Sequence, residues 1–255
     1  MIKYAITFFT IVLLNPTTLC VDMENENPPE LIEIEMRFQV LNESAIEQFV
    51  QKLTFLNKKR MIDIYLDTPQ AELCKKGLWI RIRDQKRIDY KFNRACLADP
   101  NLEMQPYCEE HSFGYPLPTE QLPRFNELNE ELLLHPGSTL AEFMENNRLI
   151  EHRTVDKIRA SYQLDEFTIV VDRVDGLGTF LEIELMAKNP DNVAQIKNKM
   201  DNALAGLDLK RLKTSYDVLL LRKNNFDQYL QSRFILDEDK IFLEKQANTF
   251  KLLDS

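Results

Sequence analysis

Thr168-Ile-Val-Val-Asp-Arg-Val-Asp-Gly-Leu-Gly-Thr-Phe-Leu-Glu-Ile-Glu-Leu185 is the stretch on which the fold turns. Two apolar runs flank a glycine-containing turn, which predicts a hairpin. Successive strand side chains point to opposite faces, so Glu182 and Glu184 share one face while Leu181, Ile183 and Leu185 share the other. Asp172 alternates with Val171 on the incoming strand and falls near the two glutamates. Converging carboxylates repel one another unless a cation joins them or they hold protons. A solvent-exposed acidic face on an antiparallel sheet would give the same alternation, so the other strands must decide.

They repeat the pattern. In Leu31 to Val40, Glu33, Glu35, Arg37 and Gln39 oppose Ile32, Ile34, Met36, Phe38 and Val40. Met61 to Thr68 sets Asp63, Tyr65 and Asp67 against Ile62, Ile64 and Leu66. Arg81 and Arg83 share a face in Leu78 to Arg83, Lys91 opposes Tyr90 and Phe92, and Lys157 and Arg159 oppose Ile158 and Ala160. Both Glu-x-Glu pairs set like charges side by side, and the bases arrive paired as well. A flat sheet laced with surface ion pairs explains this less well than a closed antiparallel barrel with ions inside and helices on its apolar outside. Helices are expected from the Ile46, Phe49, Val50, Leu53, Leu56 stripe behind the cap Asn42-Glu43-Ser44, over Glu127 to Leu134, and over Ser138 to Asn147 with Ser138 as cap. Asn189-Pro190-Asp191 caps another, Ser215 to Arg222 forms one more, and the tail Phe226 to Phe250 reads as helical. Ala95 to Pro123 is irregular and holds no expected strand.

The 255 residues are 44% hydrophobic, enough for one substantial domain. The net charge of −9 argues against a nonspecific nucleic-acid binder, though a local basic pocket remains compatible with it. Lys3 precedes an apolar run from Ala5 to Leu14, then Asn15-Pro16-Thr17-Thr18. Residues 1–20 therefore read as a secretory signal too short to span a membrane, the alternatives being a buried segment or a different start. The chain is then exported, or cytoplasmic if the signal is not one, and no stable membrane insertion is expected of the mature form. Residues 21–29 read as a linker, 30–223 as the domain, and 224–255 as a helical tail. Without Cys20, the cysteines Cys74, Cys96 and Cys108 allow one disulfide at most and show no zinc spacing.

In chain order these elements resemble the CYTH group of triphosphate tunnel metalloenzymes, which includes class IV adenylyl cyclases, thiamine triphosphatases and inorganic triphosphatases. Glu33-Ile-Glu35-Met-Arg37 matches its ExExK motif, Asp63 to Thr68 its second-strand signature, Arg81-Ile-Arg83 its RxR, Lys91 its next strand lysine, and Lys157-Ile-Arg159 its KxR. Asp172, Gly176-Leu-Gly178 and Phe180-Leu-Glu182-Ile-Glu184 complete the second half. Each motif alone is weak; the ordered set from Glu30 to Leu221 is specific. The resemblance implies an α+β fold, a closed eight-stranded antiparallel β-barrel with helices outside. It implies Mg2+ or Mn2+ on Glu33, Glu35, Asp172, Glu182 and Glu184, and a triphosphate gripped by Arg37, Arg81, Arg83, Lys91, Lys157 and Arg159. Arg37 departs from the usual lysine and cannot act as a base. The expected activity is metal-dependent hydrolysis of a triphosphate, with a class IV adenylyl cyclase or a non-catalytic polyphosphate-binding module as alternatives. Which carboxylate takes a proton is left open.

Overall fold

The computed structural model describes residues 32–99, 109–187, 192–232, 235–241 and 243; the expected signal, the linker and the Asn189-Pro190-Asp191 cap lie outside them. Strands β7 (Phe167–Val174) and β8 (Gly178–Ala187) form the expected hairpin, with Val170 opposite Glu182 and Asp172 opposite Phe180. Gly176 turns the chain at φ +71°, left-handed backbone that a Cβ would strain. Strand β1 (Ile32–Val40) joins the far side of β8 and sets Glu35 opposite Glu184 and Arg37 opposite Glu182. On the other side, β6 (Ile150–Leu164) sets Arg159 opposite Asp172. The two acidic pairs and the later base pair therefore share one face by register alone.

Outward from β6 come β2 (Thr54–Asp67), β3 (Leu78–Arg83), β4 (Arg87–Phe92) and β5 (Glu109–Gly114), while β9 (Leu209–Leu212) edges β1. The order is β5-β4-β3-β2-β6-β7-β8-β1-β9, antiparallel throughout. Among the described residues the sheet has nine strands and is open, which corrects the expected closed eight-stranded barrel. Among the described residues, β5 and β9 are not hydrogen-bonded to each other. Side chains bring the ends together instead. The sheet curls until Lys91 of β4 lies 3.5 Å from Glu33 and 3.6 Å from Glu35 of β1, so the second strand from one edge meets the second from the other. The charged face is concave and the aliphatic face convex.

The convex face carries the core. Ile34, Met36, Phe38, Ile169, Leu181 and Ile183 are covered by Ile46 of α1 (Glu43–Val50) and Met200 of α6 (Val193–Ala203). Ile80, Ile82, Ile88 and Tyr90 are covered by Phe125 and Leu128 of α4 (Leu122–Glu131) and Phe143 of α5 (Leu140–Asn146). Phe125 meets Phe113, Tyr90 and Phe143 edge-on at 5.1–5.9 Å, and truncating such a ring to Ala costs about 3–5 kcal/mol. Short helices α2 (Glu72–Lys76), α3 (Arg94–Ala98) and α8 (Phe226–Leu230) fill connections. Helix α7 (Tyr216–Asn224) breaks the expectation of helices outside: Tyr216, Leu219 and Leu220 pack with Trp79, Val155, Val174 and Phe180 from the concave side.

Several boundaries move. Asn42 caps α1 as expected, its Oδ1 accepting from Ala45 N at 3.1 Å, but the helix stops at Val50 and β2 starts at Thr54. Thr54 to Arg60 is exposed along its length, so no buried alternation marks it as strand. The cap of α5 is Thr139, one residue after Ser138, whose hydroxyl holds Glu142. The excursion expected over Ala95 to Pro123 contains β5, and α4 begins before Glu127, at Leu122. Behind α7, Tyr229 and Arg222 both bind Asp239, at 2.7 Å each, so the described tail folds back rather than running on as one helix. No described helix is long and apolar enough to cross a membrane. Cys74 is a buried free thiol, and Cys96 is buried as well.

Candidate functional site

Every predicted site residue lies on the concave face, in two groups. The first is centred on β8 and its neighbours. Glu182 is buried between two guanidinium groups: Arg37 Nε donates to it at 2.5 Å and Arg159 donates from the other side. Burial opposes its charge, but Arg37, then Arg159 and Lys157, outweigh that and hold its carboxyl well below the ordinary range. Asp172, also buried, accepts from Arg159 at 2.8 and 2.6 Å and from Lys157 at 2.8 Å. Burial, then Arg159, lowers the Lys157 ammonium, against Glu182 and Asp172. Arg37 also donates to Glu35 at 2.6 Å and to the Thr214 carbonyl at 3.0 Å.

Glu184 is the odd member. Its nearest base is Arg159 at 3.6 Å, beyond hydrogen-bond range, and Glu35 stands opposite it in the register. Burial, then the charge of Glu182, pushes its carboxyl up to about 8, with Glu33 and Glu35 adding to the rise and Arg159 resisting. The corner formed by Glu33, Glu35 and Glu184 is therefore short of positive charge. All its donors are hard oxygens, the chemistry that Mg2+ or Mn2+ takes. Among the described residues no three carboxylates are already gathered around one point, because Glu35 and Glu182 are turned onto Arg37. The donor set fits a divalent ion. Its binding would exchange those ion pairs for metal contacts.

The second group lies across β2 to β5. Arg83 forms a two-point pair with Asp63 at 2.6 and 2.8 Å. Arg81 donates to Asp89 at 3.0 Å and to Glu110 at 3.1 Å, and Arg87 reaches Asp89 at 2.9 Å. Ser112 donates to Asp89 Oδ1 at 2.7 Å. Lys91 bridges the groups by its contacts to Glu33, Glu35 and, at 4.0 Å, Glu110. Asp89, Arg87 and Glu110 were not expected at the site. Asp89 and Arg87 sit two and four residues before Lys91 and so share its face, a signal the sequence did carry. Glu110 lies on the unread strand.

Tyr216 was also missed. Its ring covers Arg37 at 4.6 Å and Lys157 at 4.9 Å and packs on Phe180 at 4.9 Å. Burial, then Glu182, raises its phenol well above the ordinary value, so it stays a neutral donor. A buried ion-pair network fixes the helix that carries it: Arg153 of β6 stands 3.3 Å from both Asp67 of β2 and Asp217 of α7. The concave face thus divides into an apolar part occupied by α7 and a charged part.

Residues 31–216 match the family described as the CYTH domain. A solved protein of Pyrococcus horikoshii is 24% identical, with 75% of this chain and 99% of that chain covered and a TM-score of 0.53, a likeness of fold. A Vibrio parahaemolyticus protein described as a candidate adenylate cyclase is 20% identical over 74% of this chain and 97% of that one, with a TM-score of 0.49. A Hippeastrum protein described as a candidate adenylyl cyclase with a dominant triphosphatase activity is 15% identical over 76% and 95%, with a TM-score of 0.44. No curated protein matches the sequence.

Proposed function

This chain belongs to the CYTH domain family, and from that premise we propose that its charged concave face binds a triphosphate-containing small molecule and hydrolyses it with Mg2+ or Mn2+. One observation carries the reading. A carboxylate corner short of positive charge, marked by the raised Glu184, adjoins a set of bases on the same face.

Arg81, Arg83, Lys91, Lys157, Arg159 and Arg37 take the phosphate oxygens. Guanidinium forks suit two-point contacts and the lysines act as point charges. The bases are already paired with carboxylates, so at Arg37, Arg81, Lys91 and Arg159 the ligand replaces Glu35, Glu110, Glu33 or Glu182 rather than meeting bare cations. Asp63 and Asp89, beneath Arg83 and Arg81, keep the forks oriented during that exchange. Glu33, Glu35, Glu182 and Glu184 hold the cation, with Asp172 behind them anchoring Lys157 and Arg159. A bound Mg2+ or Mn2+ would supply charge neutralisation at phosphate oxygens and activation of water. Glu184 gives up its proton as positive charge arrives. Arg37 keeps its own throughout.

Phosphorus NMR separates hydrolase from cyclase. Protein lacking residues 1–20 is given tripolyphosphate, thiamine triphosphate or ATP with Mg2+ or Mn2+. Attack of water at the terminal phosphorus gives orthophosphate, the expected product. Pyrophosphate appearing with cyclic AMP would replace hydrolysis by cyclisation, and binding without product would leave a binding module.

A further inference from the structure

Beside the charged part of the concave face, a cavity of about 440 Å3 opens between the tip of the β7–β8 hairpin, β9, α7, the start of α8 and the Leu236–Glu238 segment. That volume lies in the range of about 300–1,000 Å3 usual for small-molecule sites. Leu177, Phe180, Leu212, Leu219 and Leu236 give it apolar walls, and Lys210, Arg222 and Lys223 stand at its rim. Lys210 is paired with Glu238 at 2.7 Å, and Arg222 with Asp239 at 2.7 and 2.9 Å. Lys223 has no carboxylate within ion-pair distance among the described residues; its ammonium donates to the Gly176 carbonyl at 2.6 Å. The rim is thus locally positive in a chain of net charge −9. Phe180 lines the cavity and packs at a tilt on Tyr216, whose ring in turn covers Arg37.

We infer that this cavity is a second ligand site, for a small amphipathic anion whose apolar body lies against Leu177, Leu212 and Leu219 and whose carboxylate or sulfonate meets Lys223. Apolar walls drive entry of the body, and a charge-assisted hydrogen bond at the rim selects the sign of the head. The inference is independent of the proposed hydrolysis.

The probe is anilinonaphthalene sulfonate, whose fluorescence reports an apolar site, titrated into the full-length protein with octanoate and octanol as competitors. One probe per chain is expected, displaced about ten-fold more readily by octanoate than by octanol, the equivalent of one charge-assisted hydrogen bond. Saturating tripolyphosphate should leave the probe in place. Lys223→Gln, at an exposed position, should weaken probe and octanoate by a similar factor and leave octanol unchanged. Leu177→Trp, at the hairpin tip, should fill the cavity and abolish binding while circular dichroism stays that of the wild type. Non-saturable binding, equal displacement by octanol, or full binding in Leu177→Trp would overturn the site. Displacement by tripolyphosphate would place the probe on the charged face and overturn it as well.

Discussion

Replacing Glu184 with Gln is expected to stabilise the metal-free protein above neutral pH and to change little near pH 5. Burial and the charge of Glu182 raise this carboxyl from an ordinary 4.5 to about 8 in the folded protein. Between those values the folded chain holds a proton that the unfolded chain has released. Stability therefore falls as pH rises through that window, by about 1.4 kcal/mol per pH unit. Below the window both states are protonated and the side chain contributes nothing. Across all of it the loss is about 5 kcal/mol, and the 18% of the Glu184 side chain that meets solvent reduces this to about 2–4 kcal/mol. Gln cannot ionise, so the slope disappears. Urea midpoints for both proteins, in chelator, over about pH 5 to about pH 9, test this: the curves should separate progressively from about pH 5 to about pH 8 and keep a constant gap above it, with the variant the more stable. Mg2+ should then close the gap by stabilising the wild type alone. Parallel pH profiles would refute the reasoning, because they would mean that Glu184 ionises as freely folded as unfolded.

The neighbouring Glu182→Gln should have the opposite sign: it leaves Arg37 and Arg159 without their shared carboxylate, and urea unfolding at neutral pH should show a loss of about 3–5 kcal/mol. Both glutamine variants should lose metal-dependent turnover, assayed as phosphate release at saturating Mg2+. Arg81→Ala and Lys157→Ala should each weaken tripolyphosphate binding by about 1.5–3 kcal/mol in calorimetry, with a smaller effect on orthophosphate; equal, negligible effects on both ligands would remove these bases from the clamp. Mass spectrometry of natively expressed protein should find a mature chain beginning after about Cys20; an intact hydrophobic N-terminus on cytoplasmic material would count against export.

The face that carries the site was legible because strand alternation is local. Glu33, Glu35, Glu182 and Glu184 fall on one side of their strands whatever the sheet does at longer range, and β1 pairing with β8 brings the two motifs side by side. What closes the curl is not local. Strand β5, Glu-Glu-His-Ser-Phe-Gly, has one buried residue, and β9 spans four residues with a single buried leucine, so neither shows a period that could be read. Their edges stay unpaired with each other, and contacts such as Lys91 to Glu33 join residues far apart in sequence.

The acids beneath the clamp were hidden for a different reason. Asp63 and Asp89 share a face with Arg83, Arg81 and Arg87, so their pattern alone does not separate a carboxylate that binds a ligand from one that orients a base. The structure separates them by partner and burial. Asp63 and Asp89 are buried and hydrogen-bonded to guanidinium groups, whereas Glu33 stands 3.5 Å from Lys91 and Glu184 3.6 Å from Arg159. A carboxylate held by two hydrogen bonds to a fork has little to offer a metal ion; one held at arm's length by a single base retains its lone pairs. The two Glu-x-Glu motifs therefore divide unevenly. Arg37 draws Glu35 and Glu182 into ion pairs, while Glu33 and Glu184 remain the groups that gain most when a cation arrives.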